Sequence, residues 1–185
     1  MQFLHMLDET VSHMKVFRLN LKRARGIRSD LSISDGGFTY KRGGSSYLRE
    51  IELLHIALFG APLLGFLRFI YRFCAPELMS VVVDENDKLI AYDLFFFEPS
   101  EIELNVLHEL YVGVRADYQN RGIGVKLRRY SASCYENSSL EGLSTLAHFD
   151  NIKALRSAQK SGYAITKKSA KPPAYYLYRP LHKRF

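Results

Sequence analysis

The residues from Val112 to Val125, VGVRADYQNRGIGV, have the composition of an anion-binding turn between a strand and a helix. Gly122 and Gly124 allow the backbone to approach a phosphate group closely. The first N–H groups of the following helix have no intrahelical acceptor, and the helix dipole adds about half a positive charge at the same point. Arg121 and Lys126 add mobile positive charge beside it. This segment therefore predicts a site for a ligand that carries phosphate.

Two known phosphate motifs do not fit this turn. The chain has no GxxxxGK[ST] run, and Leu127 stands where a dinucleotide-binding fingerprint places its third small residue. Nucleoside triphosphates and NAD are therefore disfavoured. Two glycines separated by one residue are weak evidence alone, because they also ease an ordinary tight turn between a strand and a helix.

The turn lies within a succession of predicted strands and helices. Val106 to Val114 reads as the strand before it, and residues 122–135 carry apolar side chains at helical spacing. A strand over residues 143–147 follows, and Asp150 or Asn151 caps the next helix. In the sequence, a strand therefore precedes the turn, and a helix, a strand and a second helix follow it.

All predicted elements fall into one domain. Their order over residues 38–181 is β, α, α, β, β, β, α, β, α, β, β, which indicates a mixed α/β or α+β fold. Residues 1–36 are interpreted as an N-terminal extension of a domain that covers residues 37–185. Within the extension, Val16 to Ala24 could form a strand, because apolar and polar residues alternate there, and Ser32 to Gly37 is turn-like.

Composition restricts the class of protein. With 47% hydrophobic and 24% charged residues, the chain can bury a sizeable core, which excludes wholesale disorder. Two cysteines without a CxxC pair and six scattered histidines give no zinc-site spacing, so we expect no metal. His5, Asp8 and Glu9 interrupt the start of the chain, unlike a secretory signal, and the apolar run at residues 56–67 is too short for a membrane span. We therefore expect a cytoplasmic protein.

A net charge of +7 and a sequence pI near 9.4 suggest an anionic partner. Nucleic acid, a membrane surface, an acidic carrier protein and a phosphate-bearing cofactor all fit that charge. The basic stretch from Lys15 to Arg28 is interpreted as the solvated face of a strand, because charge runs usually solvate surfaces. We therefore do not expect nucleic acid as the main partner, and a nucleic-acid binder stays open as an alternative that the same basic stretch suggests.

Two motifs in this order resemble the GNAT superfamily of acyl-CoA N-acyltransferases. Gln119 to Gly124 (QNRGIG) is similar to its Q/R-x-x-G-x-G/A signature, although Ala116 stands where the superfamily often has Pro. Residues 151–163 resemble its N-x-x-A-x(7)-G-[FY] pattern. The resemblance covers about residues 37–181. It implies a mixed, mostly antiparallel central sheet flanked by helices and the transfer of an acyl group, with acetyl-CoA as the first choice of donor, to a primary amine.

The resemblance also implies which residues hold the acyl-CoA. Main-chain N–H groups from Arg121 to Val125 would bind the pyrophosphate, the backbone of Val112 to Val114 would pair with the pantetheine arm, and the Asn151 side chain would bond that arm. Asn151 could equally be a plain helix cap. The expected cofactor-binding residues are Val112, Val114, Gln119, Asn120, Arg121, Gly122, Ile123, Gly124, Val125 and Asn151.

Catalytic roles follow from the same resemblance. In the superfamily a Glu or His on the strand before the signature often deprotonates the amine, which implies His108 or Glu109 here, and a histidine suits that work near neutral pH. Strict alternation places His108 on the face of Val112 and Glu109 on the opposite face. A main-chain N–H near Val112 is expected to polarise the carbonyl. Ala158 stands where the superfamily often has the tyrosine that protonates the thiolate. The candidates that remain for this acid are water, Tyr163, Tyr175, Tyr176 and Tyr178.

The acceptor is expected to be a primary amine of a small molecule, a sugar or a peptide. The resemblance places it against apolar side chains of the first two helices and the last strands, most of which fit an ordinary core equally well: Leu58, Phe59, Phe66, Phe69, Tyr71, Phe73, Tyr175 and Tyr176. A homodimer is left open. Because the usual acid is missing, two alternatives also stay open. One is a non-catalytic CoA-binding or interaction module, and the other is an acyltransferase that uses an acyl carrier protein as donor.

Overall fold

The computed structural model describes residues 2–27 and 29–182, with side chains from residue 12 onward. Met1, Arg28, residues 183–185 and the side chains of His5, Asp8 and Glu9, on which parts of the predictions fall, lie outside the described residues. The helices are α1 (Gln2–Ala24), α2 (Leu48–Phe59), α3 (Gly65–Leu78), α4 (Ile123–Tyr135) and α5 (Ile152–Lys160). The strands are β1 (Ser32–Asp35), β2 (Phe38–Arg42), β3 (Met79–Val83), β4 (Leu89–Phe96), β5 (Val106–Val114), β6 (Gly142–His148), β7 (Ala164–Ala170) and β8 (Pro173–Pro180).

The strands form one eight-stranded sheet in the order β1-β2-β3-β4-β5-β6-β8-β7. Neighbouring strands are antiparallel, except that β5 and β6 are parallel. The predicted mixed, mostly antiparallel sheet flanked by helices is confirmed. Because α1 and β1 precede the elements that were predicted, the described chain has the longer order αββααβββαβαββ.

The N-terminal extension contains a helix where a strand is predicted. Residues from Val16 to Ala24 lie in the last turns of α1. Asn20 and Ala24 are buried, whereas Arg18 and Lys22 are exposed, and these spacings of four are those of a helix with one covered face. Apolar and polar residues also alternate in this short window, but packing against α3 selects the helical period.

The segment predicted to be turn-like, Ser32 to Gly37, is only partly a turn. Its first four residues are β1, which pairs with β2. Gly36 and Gly37 connect the two strands with φ angles of 60° and 80°, in the left-handed region that favours glycine. The extension therefore continues directly into the sheet.

Helices cover both faces of the sheet. On β4, the Tyr92 hydroxyl bonds to His55 of α2 on one face, and the next residue, Asp93, bonds to Ser131 of α4 on the other face. Helix α5 lies beside α4, and α1 packs against α3. None of the helices in the described ranges combines the length and the hydropathy that a membrane span requires.

Candidate active site

A cavity of about 480 Å³ lies where β5, the turn after it, α4 and α5 meet. Nine of the ten residues predicted to bind a cofactor line it: Val112, Val114, Gln119, Asn120, Gly122, Ile123, Gly124, Val125 and Asn151. The tenth, Arg121, instead stacks 5.1 Å from the ring centre of Tyr118, and its Nη2 donates to the Asp117 carbonyl oxygen at 2.9 Å. The fold thus brings Asn151 to the turn that precedes it by about 30 residues.

The first turn of α4 presents backbone N–H groups to this cavity. Gly122 precedes the helix with a φ of 78°. The Lys126 N–H donates to the Gly122 carbonyl oxygen at 3.0 Å. The N–H groups of Ile123, Gly124 and Val125 therefore lie before the first intrahelical hydrogen bond and have no acceptor within the helix. All three residues line the cavity. The beginning of α4 can therefore bind an anionic group such as a phosphate.

Gly124 keeps part of the cavity open. A Cβ at this position would lie 3.5 Å from Val114 Cγ2 and 3.8 Å from Ser157 Oγ, which is ordinary van der Waals contact. Packing of the protein itself therefore does not require glycine here. The space is available to a ligand that approaches the α4 backbone, and it fits the pyrophosphate that the resemblance implies.

Three cations of α5 extend the site, although sequence analysis missed them. Lys153, Arg156 and Lys160 line the cavity, and all three are exposed. Their spacing of three and four places them on one helical face, which is a signal that the sequence carries. Asn151 accepts a hydrogen bond from the Ala154 N–H at 3.0 Å, so it caps α5 while it lines the cavity. Its cap role and a ligand role are therefore compatible.

A β-bulge interrupts β5 just before the cavity. Leu94 pairs with Tyr111 and Phe95 pairs with Glu109, which leaves Leu110 as an extra residue opposite β4. One extra residue shifts the alternation of side chains along the strand by one position. Two residues that lie an even number of positions apart, one on each side of the bulge, then point to opposite faces of the sheet. Predictions that assume period-two alternation across Leu110 therefore fail.

The bulge separates His108 from Val112. Glu109 bonds to Arg128 of α4 and Val112 packs in the cluster beneath the same helix, so both lie on the α4 face. His108 bonds to Ser144 on the opposite face. The predicted sharing of a face by His108 and Val112 is wrong, because the alternation that predicts it requires an unbroken strand.

Glu109 forms a buried ion pair. Its carboxylate accepts hydrogen bonds from Arg128 Nε at 2.9 and 3.2 Å, and Arg128 Nη2 lies 2.7 Å from Oε1. The Tyr163 hydroxyl donates to Oε2 at 3.0 Å. Glu109 is 1% exposed and Arg128 is 5% exposed. This carboxylate joins β5 to α4, and both of its oxygens accept hydrogen bonds from Arg128 or Tyr163.

Asp93 lies beside this ion pair. Burial first, and the charge of Glu109 second, raise the pKa of Asp93 well above its ordinary value. Ser131 Oγ donates to its Oδ2 at 2.8 Å. When Asp93 is neutral, the Glu109 carboxylate is the one partner of the Arg128 guanidinium, and no charge among these three side chains is buried without a counterion.

A second buried group, the His108 cluster, consists of His108, Glu101 and Ser144. His108 Nδ1 lies 2.8 Å from Ser144 Oγ and 3.3 Å from Glu101 Oε1, and Ser144 Oγ donates to Glu101 Oε2 at 2.6 Å. Ser144 is the register partner of His108 on β6, and Glu101 lies in a 3₁₀ segment, Pro99–Leu104, that precedes β5. Glu101 and Ser144 could not be predicted from the sequence, because only the tertiary fold brings them to the histidine.

The four tyrosines considered as acids lie in different surroundings. Tyr176 adjoins the His108 cluster, and burial raises its pKa to about 12. The Tyr163 hydroxyl is bound to Glu109, the Tyr178 hydroxyl donates to a backbone carbonyl, and Tyr175 packs on a neighbouring phenylalanine. Tyr176 is therefore the tyrosine placed beside the predicted base.

The apolar side chains predicted to contact the acceptor lie in different parts of the fold. Three of them pack against α1 instead: Phe66, Phe69 and Phe73. Tyr71 is completely buried and cannot contact a substrate. Phe59 is 48% exposed, and its ring centre lies 5.5 Å from that of Tyr111. Both contact His55 of α2, on the face of the sheet opposite α4, which is also the face of His108.

The family model of the acetyltransferase (GNAT) family matches residues 50–163. Three solved structures have a similar fold. Ard1 from Thermoplasma volcanium has a TM-score of 0.66 at 15% identity, covering 80% of this chain and 100% of that one. Arabidopsis thaliana Naa50 in complex with the bisubstrate analogue CoA-Ac-MVNAL has a TM-score of 0.63 at 17% identity, covering 77% and 97%. The yncA protein from Salmonella typhimurium, solved with its cofactor acetyl-CoA, has a TM-score of 0.65 at 14% identity, covering 80% and 96%.

No curated protein matches the chain in sequence. The family match nevertheless spans more than half of the 185 residues and runs from α2 to the residue before β7. It contains the lining of the cavity and the His108 cluster. The chain therefore belongs to the acetyltransferase (GNAT) family.

Proposed function

We propose that this N-acetyltransferase moves an acetyl group from acetyl-CoA to the primary amine of a small molecule, a sugar or a peptide. The observation that carries the proposal is the cavity at the start of α4, which suits the phosphates of CoA. Two of the similar structures contain acetyl-CoA or a CoA-based analogue, which supports the same donor. Acetyl-CoA would supply the acetyl group as an activated thioester.

Different parts of the cavity would hold different parts of the donor. The N–H groups of residues 123–125 would bind the pyrophosphate. Strand β5 pairs with β6 from Val106 to Glu109, so the backbone of Val112 to Val114 lies beyond that pairing and would bond the pantetheine arm as an added strand. Asn151 lines the cavity from the start of α5 and would bond the same arm. Together these contacts would bring the thioester to the bulge in β5.

The acceptor would approach from the face of β5 that carries His108. We assign His108 as the base and leave Glu109 out of the chemistry, because Arg128 and Tyr163 bind its carboxylate. A main-chain N–H near Val112 would polarise the carbonyl. Tyr176 or water would protonate the departing thiolate, which is a tolerable leaving group because a thiol has a pKa of about 8.5.

The three cations of α5 make a specific prediction about the donor. Replacing Arg156 and Lys160 together by alanine should weaken CoA binding by about 10-fold, because exposed charge pairs contribute about 1 kcal/mol or less each. Binding of dephospho-CoA, which lacks the 3′-phosphate, should change much less. Isothermal titration of both ligands measures the difference. The matched control is Lys15→Ala with Arg18→Ala on the exposed face of α1, and an equal loss for both ligands would contradict a 3′-phosphate contact.

The experiment that tests the function is an assay of CoA thiol release from acetyl-CoA. The full chain is incubated with acetyl-CoA and a panel of primary amines that contains peptides with free N-termini, a polyamine and an aminoglycoside. We expect thiol release that depends on one class of amine, with the acetylated product confirmed by mass spectrometry. Binding of acetyl-CoA without release for any amine would favour a non-catalytic module. Thiol release only from an acetylated acyl carrier protein would show that such a carrier, and not acetyl-CoA, is the donor.

A further inference from the structure

The His108 cluster is isolated from solvent on most sides and contains a countable set of hydrogens. Glu101 and His108 are each 6% exposed, and Ser144 is completely buried. The three side chains come from a 3₁₀ segment, from β5 and from β6, so no local motif contains them. Their polar atoms lie within hydrogen-bond distance of one another.

Counting these hydrogens determines the tautomer of the neutral histidine. An ionised carboxylate only accepts hydrogen bonds, and a serine hydroxyl has a single hydrogen to donate. Ser144 Oγ lies 2.6 Å from Glu101 Oε2, so its hydrogen points to the carboxylate. The contact of 2.8 Å between Ser144 Oγ and His108 Nδ1 then requires the hydrogen to be on Nδ1. Glu101 Oε1, at 3.3 Å, favours a hydrogen on the same nitrogen.

The charge state of Glu101 agrees with this count. Burial acts to raise the pKa of Glu101, but hydrogen bonds from His108, Ser144 and Tyr176, together with the charge that His108 carries when it is protonated, outweigh burial and lower that pKa below its ordinary value. The carboxylate is therefore ionised at neutral pH and serves as an acceptor. The Tyr176 hydroxyl is the other donor beside these groups, and it bonds to Glu101 and Ser144 rather than to Nδ1, so no other described donor is available to a bare Nδ1.

The second ring nitrogen, Nε2, does not take part in the hydrogen bonds of the cluster, all of which use Nδ1. No hydrogen bond from Nε2 to any described residue is present. Nε2 is also not among the fully buried polar atoms that lack a partner, which in the described chain are Tyr71 Oη and Asp93 Oδ1. It therefore keeps access to solvent. With the hydrogen on Nδ1, Nε2 presents a lone pair to that solvent.

We propose that Glu101 and Ser144 are positioning residues that hold neutral His108 with its hydrogen on Nδ1, so that Nε2 accepts the proton of the acceptor amine. This inference rests on the proposed function. The N–H bond of the acceptor breaks and an N–H bond forms at Nε2, while the amine nitrogen forms a bond to the acetyl carbon and the carbon–sulfur bond breaks. The proton is then released to solvent or to the departing thiolate, and the ionised Glu101 stabilises the imidazolium in between.

The tautomer is measured directly by long-range ¹H–¹⁵N NMR on protein labelled with ¹⁵N-histidine, at a pH where the imidazole is neutral. His108→Gln identifies the signals of His108. We expect hydrogen on Nδ1 in the unmodified chain, its redistribution toward Nε2 in Glu101→Gln and Ser144→Ala, and retention on Nδ1 in Ser144→Thr. A hydrogen on Nε2 of His108 in the unmodified chain would overturn the proposal, whatever the activity.

Kinetics complete the test and separate it from the proposed function. In an active enzyme, Glu101→Gln and Ser144→Ala should each lower kcat by about 10-fold or more, with unchanged affinity for acetyl-CoA, while Ser144→Thr retains kcat. Full kcat in both damaged variants would overturn the positioning role and leave the proposed function intact. Absence of acetyl transfer by the unmodified chain would overturn the function, and with it the use of His108 as a base, even if the hydrogen is on Nδ1.

Discussion

Replacing His108 by glutamine should lower kcat for acetyl transfer by about 10²- to 10⁴-fold, the usual contribution of a general base. Glutamine retains a polar group that can bond to Ser144 and Glu101, so the variant should fold. Its affinity for acetyl-CoA should be unchanged, because the side chain lies on the face of β5 opposite the cavity residue Val112. Steady-state kinetics with the best amine of the panel, together with calorimetry for acetyl-CoA, measure both quantities.

The control for this variant is His13→Gln. His13 stacks on Phe66 where α1 meets α3, away from the residues that line the cavity. It should keep both kcat and affinity. An unchanged kcat in His108→Gln, in a protein that transfers acetyl groups, would show that another group or water removes the proton.

Breaking the ion pair between Glu109 and Arg128 should have the largest effect on stability. Arg128→Met leaves the carboxylate of Glu109 buried without its guanidinium, and removal of one partner from a buried pair typically costs about 3–5 kcal/mol. This is a large part of the roughly 5–15 kcal/mol by which domains are usually stable. The two side chains are 6% and 1% exposed, so solvent screens the pair little. Urea denaturation measures the free energy of unfolding.

A double-mutant cycle identifies the source of that loss. Glu109→Gln alone should also be destabilising, because it leaves the guanidinium buried and unpaired. The double variant Arg128→Met, Glu109→Gln contains neither charge and keeps an acceptor for Tyr163, so it should recover most of the stability. Asp93→Asn is the control that leaves the ion pair intact, because burial raises the pKa of Asp93 well above its ordinary value, and the buried amide should cost about 1–3 kcal/mol, less than loss of the pair. Additive losses in the cycle would contradict the ion pair. A stable Glu109→Gln variant without activity would make Glu109 catalytic.

Local sequence features predicted that most of the candidate cofactor-binding residues lie around one space at the start of α4. Residues 112–125 form one continuous strand, turn and helix, so their spacing alone places Val112, Gly122 and Gly124 around a common space. Asn151 required only the expectation that the next helix lies beside α4. Arg121 is the exception, because its guanidinium stacks on Tyr118 and donates to the Asp117 carbonyl oxygen, and Arg121 does not line the cavity.

The surroundings of His108 depend on contacts that are distant in sequence, and they were predicted less well. The extra residue at Leu110 is visible only when β5 is paired with β4, so alternation along β5 alone assigns His108 to the wrong face. Glu101 and Ser144 reach His108 only through a 3₁₀ segment and the parallel pairing of β5 with β6. In the N-terminal extension, a nine-residue window fits both periods, and only the packing of α1 on α3 selects the helix.

We expect the cavity at the start of α4 to bind an acyl-CoA. Calorimetric titration with acetyl-CoA tests it on three chains: the unmodified protein, Gly124→Glu and Gly26→Glu. A side chain has room to leave the backbone at Gly124, so this variant should fold while its carboxylate occupies the phosphate position. Gly26 has open space around it and lies outside the lining of the cavity, so it controls for the added charge. We predict binding to the unmodified chain and to Gly26→Glu and loss of binding in Gly124→Glu. Absence of binding to the unmodified chain, or equal binding to all three, would contradict a binding site for acyl-CoA at the start of α4.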